Sequence, residues 1–111
     1  MAATISAEKA LDALGDATRR RVFLRLRDGT RSVREIARGM DVSRPAVSQH
    51  LKVLKAAGLV AVRSEGTRRL YAIEARGIEA LRRWLDGFWD DALTSFKRAA
   101  EREAARERRR Q

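Results

Sequence analysis

Residues 43–55 bring together side chains that can read a planar, polar edge. Val47, Leu51 and Leu54 recur at helical spacing as an apolar stripe, while Arg44, Ser48, Gln49, Lys52 and Lys55 fall off it. Arginine and glutamine can each place two hydrogen bonds on one base, on guanine and adenine respectively, whereas serine and lysine more often hold phosphates and set register. Pro45 and Ala46 are compact enough to let such a helix approach closely and touch a thymine methyl. Ser43 stands just before this run, as its cap. Any amphipathic helix with a solvated face shows the same pattern, so its neighbours must decide between the two readings.

His50, the single histidine, keeps two open readings: a phosphate donor beside Gln49, or a partly buried ring bracing a helix pair. A lone imidazole with no cysteine and no second histidine makes a poor transition-metal site. Downstream, Arg63, Arg68 and Arg69 flank a glycine-containing turn, Glu65-Gly66-Thr67. Strand alternation puts Arg69, Tyr71 and Ile73 on one face, so Arg69 is expected to lean inward and Arg68 at the tip to be the phosphate or minor-groove contact. Arg19, Arg20 and Arg21 are further candidates for backbone contact, but three consecutive helical positions cannot all face one partner, so one or two of them at most are expected to do so.

These side chains need elements to position them. The pattern predicts a short helix from Ser6 to Leu14, with Ala7, Ala10, Leu11 and Leu14 on one side and a stop at Gly15. Asp16 is the expected N-cap of a second helix burying Val22, Phe23 and Leu26 and ending before Gly29. Ser32 and Glu35 fit a capping box opening a third helix of about two turns, burying Val33, Ile36, Ala37 and Met40. After a break at Asp41-Val42 comes the fourth helix, with Val42 and Val47 spaced as a hydrophobic staple and Pro45 in the first turn, where its missing N–H costs nothing. Gly58 ends it. Leu59–Arg63 and Arg69–Ile73 read as the strands of a hairpin, and from Gly77 the pattern is helical almost to the end. Two short helices separated by a tight break and followed by a basic hairpin give the layout of a winged helix-turn-helix. The expected fold class is therefore mainly α (α+β), with about five helices and one two-stranded β-hairpin wing.

Charge distribution supports that placement. The chain has 111 residues with 25 Lys+Arg against 15 Asp+Glu, net +10. Residues 1–18 carry one base and three acids, 19–76 fifteen bases and five acids, 77–96 two bases and four acids, and 97–111 seven bases and three acids. The middle of the chain alone thus carries a charge equal to the whole excess. A confined positive field of that size favours a polyanion, since each neutralised phosphate releases condensed counterions. A membrane surface would call for aromatics on a basic amphipathic helix. Here the aromatic-rich helix is locally acidic, so duplex DNA is the expected partner. No apolar run approaches the ~18 residues of a membrane span and nothing reads as a signal peptide, so the expected location is the cytoplasm, at the nucleoid when bound. With no cysteine, disulfides, thiolate metal sites and cysteine nucleophiles are excluded. Ser48 beside His50 on one helix does not make a triad, and no enzymatic role, cofactor or metal is expected.

The last helix holds four of the six aromatics: Trp84, Phe88, Trp89 and Phe96. With Ile78, Leu81, Leu85 and Leu93 they make an apolar face larger than one small domain covers by itself, which usually marks an interface. Leu81 and Trp84 are expected to cap the chain's own core. Leu85, Phe88, Trp89, Ala92 and Phe96, joined by Leu11 of the first helix, are expected to meet a second copy. A two-fold dimer would hold two recognition helices about one DNA turn apart (~34 Å) and so require an inverted repeat. The expected organisation is a DNA-binding and dimerisation domain over 1–98 and a basic, frayed tail over 99–111.

The stretch Leu11-Asp12-Ala13-Leu14-Gly15-Asp16-Ala17-Thr18-Arg19-Arg20-Arg21 resembles the opening signature of ArsR-type bacterial transcriptional repressors, and Val42 to Leu54 is similar to that family's recognition helix. Gly58-Leu59-Val60 and the arginine-rich hairpin match its wing, and the resemblance covers roughly residues 7–96. It implies a homodimeric winged-helix repressor, dimerised through first and last helices and bound to an operator near its own promoter. Ala17 replaces a frequent proline, and Asp41 a frequent turn glycine; aspartate tolerates positive φ better than most residues, so the turn is expected to survive. The family's Cys-x-Cys metal ligands correspond to Ser32 and Arg34, which are not soft-metal ligands. Its last-helix zinc sites use Asp, His and Glu, but Asp86, Asp90 and Asp91 have no histidine among them. The resemblance is to a cysteine-free, non-metal-sensing branch whose effector, if one exists, is unidentified. The rival reading is a non-specific architectural nucleic-acid binder. Such proteins rely on phosphates and inserted apolar wedges, where this chain offers Arg44, Ser48 and Gln49.

Overall fold

A computed structural model describes residues 6–111. The elements run α1 (Ala7–Ala13), α2 (Ala17–Leu24), α3 (Val33–Ala37), α4 (Arg44–Ala56), β1 (Val60–Glu65), β2 (Arg68–Ile73) and α5 (Ala75–Arg110). Each of the first four helices begins at a side chain that replaces a missing backbone partner. Ser6, Asp16, Ser32 and Ser43 accept from the amides of Lys9, Arg19, Glu35 and Ala46 at 3.4, 2.9, 3.2 and 3.3 Å. The capping box of α3 is complete, since Glu35 in turn accepts the Ser32 amide at 3.0 Å.

At five residues, α3 is shorter than the two turns expected and could not persist alone, because helix nucleation is unfavourable. Tertiary contacts hold it. Ile36 is fully buried, and Val33, Ala37 and Met40 pack against the core from partly exposed positions. The turn after it corrects the expectation for Asp41. No residue other than glycine has positive φ among those described; Gly39, at φ 79°, takes the left-handed conformation, so Asp41 carries no strain.

The core gathers Ala10 and Ala13 of α1, Val22 and Phe23 of α2, Leu26, Ile36, the α4 stripe Val47, Leu51 and Leu54, then Leu59, Val60 and Tyr71. Fully burying a Val, Leu or Ile is worth roughly 1.5–3 kcal/mol, so this stripe outweighs any single cap in fixing α4. Val42 packs against the core as the staple spacing requires.

β1 and β2 pair antiparallel in register from Val60↔Ile73 to Glu65↔Arg68, leaving Gly66-Thr67 as a two-residue turn. Gly66 has φ 64° and Thr67 does not have positive φ, the pattern of a type II′ hairpin turn. Beyond the hairpin, Tyr71 pairs with Arg31 across an isolated antiparallel bridge, so β2 is tied to the segment just before α3.

The chain forms two compact units, one through Leu81 and one from Arg82 to Gln111. The division falls inside the 1–98 segment grouped on sequence grounds. Residues 99–110, expected to fray, are helical to Arg110. Their Ala/Glu/Arg composition has high intrinsic helix propensity, and Arg106 pairs with Glu103 one turn earlier at 3.7 Å. No helix of the described residues is long and apolar enough to cross a membrane.

Candidate nucleic-acid interface

α4 divides cleanly into two faces. Val47, Leu51 and Leu54 are fully buried, while Ser43, Arg44, Pro45, Ser48, Gln49, Lys52 and Lys55 are exposed. The structure therefore brings the predicted reading residues to one solvent face. A groove of about 430 Å³ runs between this face and the hairpin, lined by Ser48, Gln49, Lys52, Lys55, Val62, Arg69 and Tyr71. A second groove, of about 750 Å³, lies beside it and is lined by Ser32, Val33, Arg34, Glu35, Arg38, Arg44, Arg68 and Arg69.

His50 is half-buried on α4. Asp16, the α2 cap, has its carboxyl held below the ordinary carboxylate value first by the Arg19 amide, against desolvation, and to a lesser degree by the charges of Arg19 and His50. His50 thus lies near enough to the start of α2 for its charge to act on Asp16, which is compatible with the bracing reading.

Both strands are exposed at the tip, and Arg63, Arg68 and Arg69 are all exposed. Arg69 is exposed, yet it lines the groove between the hairpin and α4 together with Tyr71, as their shared strand face implies. Leu70 and Tyr71, consecutive residues, are the buried pair. Arg63 lies 3.7 Å from Glu65. Arg68, expected to be the free tip cation, has its Nη2 at 3.1 Å from Glu35 Oε1. Among the described residues Arg69 has no ion-pair or side-chain hydrogen-bond partner, and it lines both grooves.

Several arginines counted as surface charge work inside the fold. Arg19 and Arg20 donate to the Ala13 and Leu14 carbonyls at 3.2 and 2.7 Å, at the carbonyl end of α1. Arg25 donates to the Arg38 carbonyl at 2.8 Å and Arg31 to the Arg25 carbonyl at 2.9 Å. Cations at helix C-termini satisfy unpaired carbonyls and oppose the helix dipole. Of the Arg19-Arg20-Arg21 run, only Arg21 makes no such contact among the described residues.

Sequence reasoning missed Arg34 and Arg38 as site residues. They stand one helical turn apart and line the second groove beside Arg44. The spacing was visible, but which flank of so short a helix faces the hairpin depends on the bridge at Tyr71. Leu11 is 37% exposed, Leu85 40%, Phe88 54%, Trp89 58% and Phe96 73%, while Ala92 is half-buried. Trp84, expected to cap the core, is 43% exposed and stacks on Phe88 at 5.7 Å, whereas Leu81 does pack against the core. No group of three or more His, Cys, Asp or Glu suited to holding a metal occurs among the described residues.

A helix-turn-helix domain model matches residues 14–63. The chain is 54% identical over 91 residues to the HTH-type transcriptional regulator Rv2034 of Mycobacterium tuberculosis, covering 82% of this chain and 85% of that protein. The crystal structure of a possible transcriptional regulator for arsenical resistance superposes with a TM-score of 0.67 at 36% identity, covering 78% of this chain and 95% of the other. The homodimeric winged helix-turn-helix DNA-binding domain of a possible ArsR-family regulator from Mycobacterium bovis, solved by NMR, gives 0.60 at 31% identity over 78% and 80% of the two chains. With a relative this similar along most of its length, and with α3, α4 and the hairpin arranged as described, the chain belongs to the ArsR-type winged helix-turn-helix family of transcriptional regulators, as a cysteine-free member.

Proposed function

We propose that the protein is a homodimeric repressor that binds an inverted-repeat DNA operator through the major groove and works in the cytoplasm, at the nucleoid. The observation that carries this is the division of α4: its stripe is fully buried while Arg44, Ser48, Gln49 and Lys52 are all exposed on one face. Arg44 and Gln49 supply base-edge readout, and Ser43, Ser48, Lys52 and Arg63 hold phosphates. Pro45 permits close approach, His50 braces α4 against α2, and Arg69 extends the contact along the hairpin. The second copy covers Leu85, Phe88, Trp89, Ala92 and Phe96, with Leu11 of α1; all but the half-buried Ala92 are large apolar side chains exposed to solvent, as at an interface. The homodimeric state of the Mycobacterium bovis relative supports this assembly. Residues 1–98 would form the DNA-binding and dimerisation domain, and 99–111 a basic helical end.

Fluorescence anisotropy tests the reading, using a labelled duplex from upstream of the protein's own gene against a scrambled duplex, titrated across salt. A preference of about a thousandfold or more at ~0.15 M salt is expected of a site-specific regulator. Equal binding to both duplexes, lost together as salt rises, would instead indicate an architectural binder.

A further inference from the structure

One carboxylate oxygen serves two elements. Glu35 Oε1 accepts the Ser32 amide at 3.0 Å and Arg68 Nη2 at 3.1 Å, so the oxygen that completes the α3 capping box also holds the first residue of β2. Three residues further along β2, Tyr71 exchanges both backbone hydrogen bonds with Arg31, at 2.9 and 2.8 Å, immediately before the Ser32 cap. β2 is thereby fastened to the start of α3 at two points, separated by roughly 10 Å at ~3.3 Å per strand residue. A strand held at one point can pivot; held at two, it has a set direction.

We infer that Glu35 is a positioning residue for DNA binding: it holds Arg68 against α3, so that the hairpin keeps a fixed angle to α4 and Arg69 is left free to contact the phosphate backbone alongside Arg63. This rests on the DNA-binding reading above. Arg69 suits that contact because it is exposed, unpaired and placed where both grooves meet. The Glu35 carboxyl lies below its ordinary value, first through the Ser32 amide and hydroxyl and to a lesser degree through Arg68 and Arg31, so it is ionised at neutral pH. The side chains of Arg68 and Glu35 are 62% and 39% exposed, and such a pair adds little to stability. Its consequence is direction, which matters only when the hairpin must meet a partner already engaged by α4.

Glu35→Gln separates this from the simpler alternative, in which Arg68 is a phosphate ligand partly neutralised by an acid. The amide oxygen still accepts the Ser32 N–H, so the cap survives while the charge-assisted bond to Arg68 weakens. Positioning predicts that E35Q binds promoter and scrambled duplexes alike roughly three- to fivefold more weakly, the scale of one exposed ion pair, even though the protein has become more positive. R68Q should lose a similar factor, and the double variant should be no worse than either single one. Without DNA, hydrogen exchange of the hairpin amides at 63–69 should quicken in E35Q while the melting temperature at neutral pH falls only slightly. Tighter DNA binding by E35Q, additive losses in the double variant, or unchanged hairpin exchange would each overturn the inference. A wild type that shows no sequence preference would count against the proposed function, and the exchange experiment would still decide the role of Glu35.

Discussion

Gly77, in the first turn of α5, lies directly against the carbonyl of Gly58, the residue that ends α4. A Cβ at position 77 would run into that carbonyl and crowd the Leu59 backbone. Gly58 itself has φ 80°, so neither partner can easily become another residue. The contact fastens the first turn of α5 to the end of α4.

Gly77→Ala should therefore destabilise, although alanine is the better helix former by ~1 kcal/mol. The clash costs about 1–3 kcal/mol, as overpacking usually does, and the melting temperature should drop by several degrees. Gly87→Ala is the control: nothing lies within 4 Å of a Cβ there, so the propensity gain should appear unopposed. Differential scanning calorimetry of the two variants should give opposite signs.

Arg44→Ala and Gln49→Ala should each reduce discrimination at one operator base pair by ~1–3 kcal/mol. Binding to scrambled DNA should change far less for Gln49→Ala, which removes no charge. A binding series with single-base operator substitutions reads this out, and unchanged preference in both variants would remove α4 from the major groove.

Arg69→Ala should weaken binding to all duplexes about equally and reduce the salt slope by ~0.9, the loss of one phosphate contact. The slope of log Kd against log salt measures it.

Phe88→Asp combined with Trp89→Lys should yield folded monomers in sedimentation equilibrium, because both rings are more than half exposed and contribute little to the chain's own core. Retention of a dimer would place the interface elsewhere.

Acid should destabilise the fold through two caps. Asp16 and Glu35 have carboxyls below their ordinary values of 3.8 and 4.5, held there first by the Arg19 and Ser32 amides respectively. A lowered folded value means that the stabilisation is complete above the ordinary value and fades as pH falls through the lowered one. Melting temperatures measured from pH 7 down to about 3 should fall below pH ~4.5, and the fall should be smaller in Glu35→Gln.

The sequence by itself determined the elements and their caps. Asp16, Ser32 and Ser43 announce helix starts through local chemistry, and the Val47, Leu51 and Leu54 spacing divides α4 into a buried and an exposed face whatever it packs against. The bases of 19–76 were equally legible as a count, but not as a set of free charges. Tertiary structure decided that Arg19, Arg20, Arg25 and Arg31 spend hydrogen bonds on backbone carbonyls, because which carbonyl comes within reach depends on how helices stack. It also decided what two neighbours meet. Alternation along β2 places Arg68 and Arg69 on opposite faces, yet only the arrival of Glu35, 33 residues away in sequence, occupies one and leaves the other free. Local rules set which way a side chain leaves the backbone, and long-range packing sets what it meets.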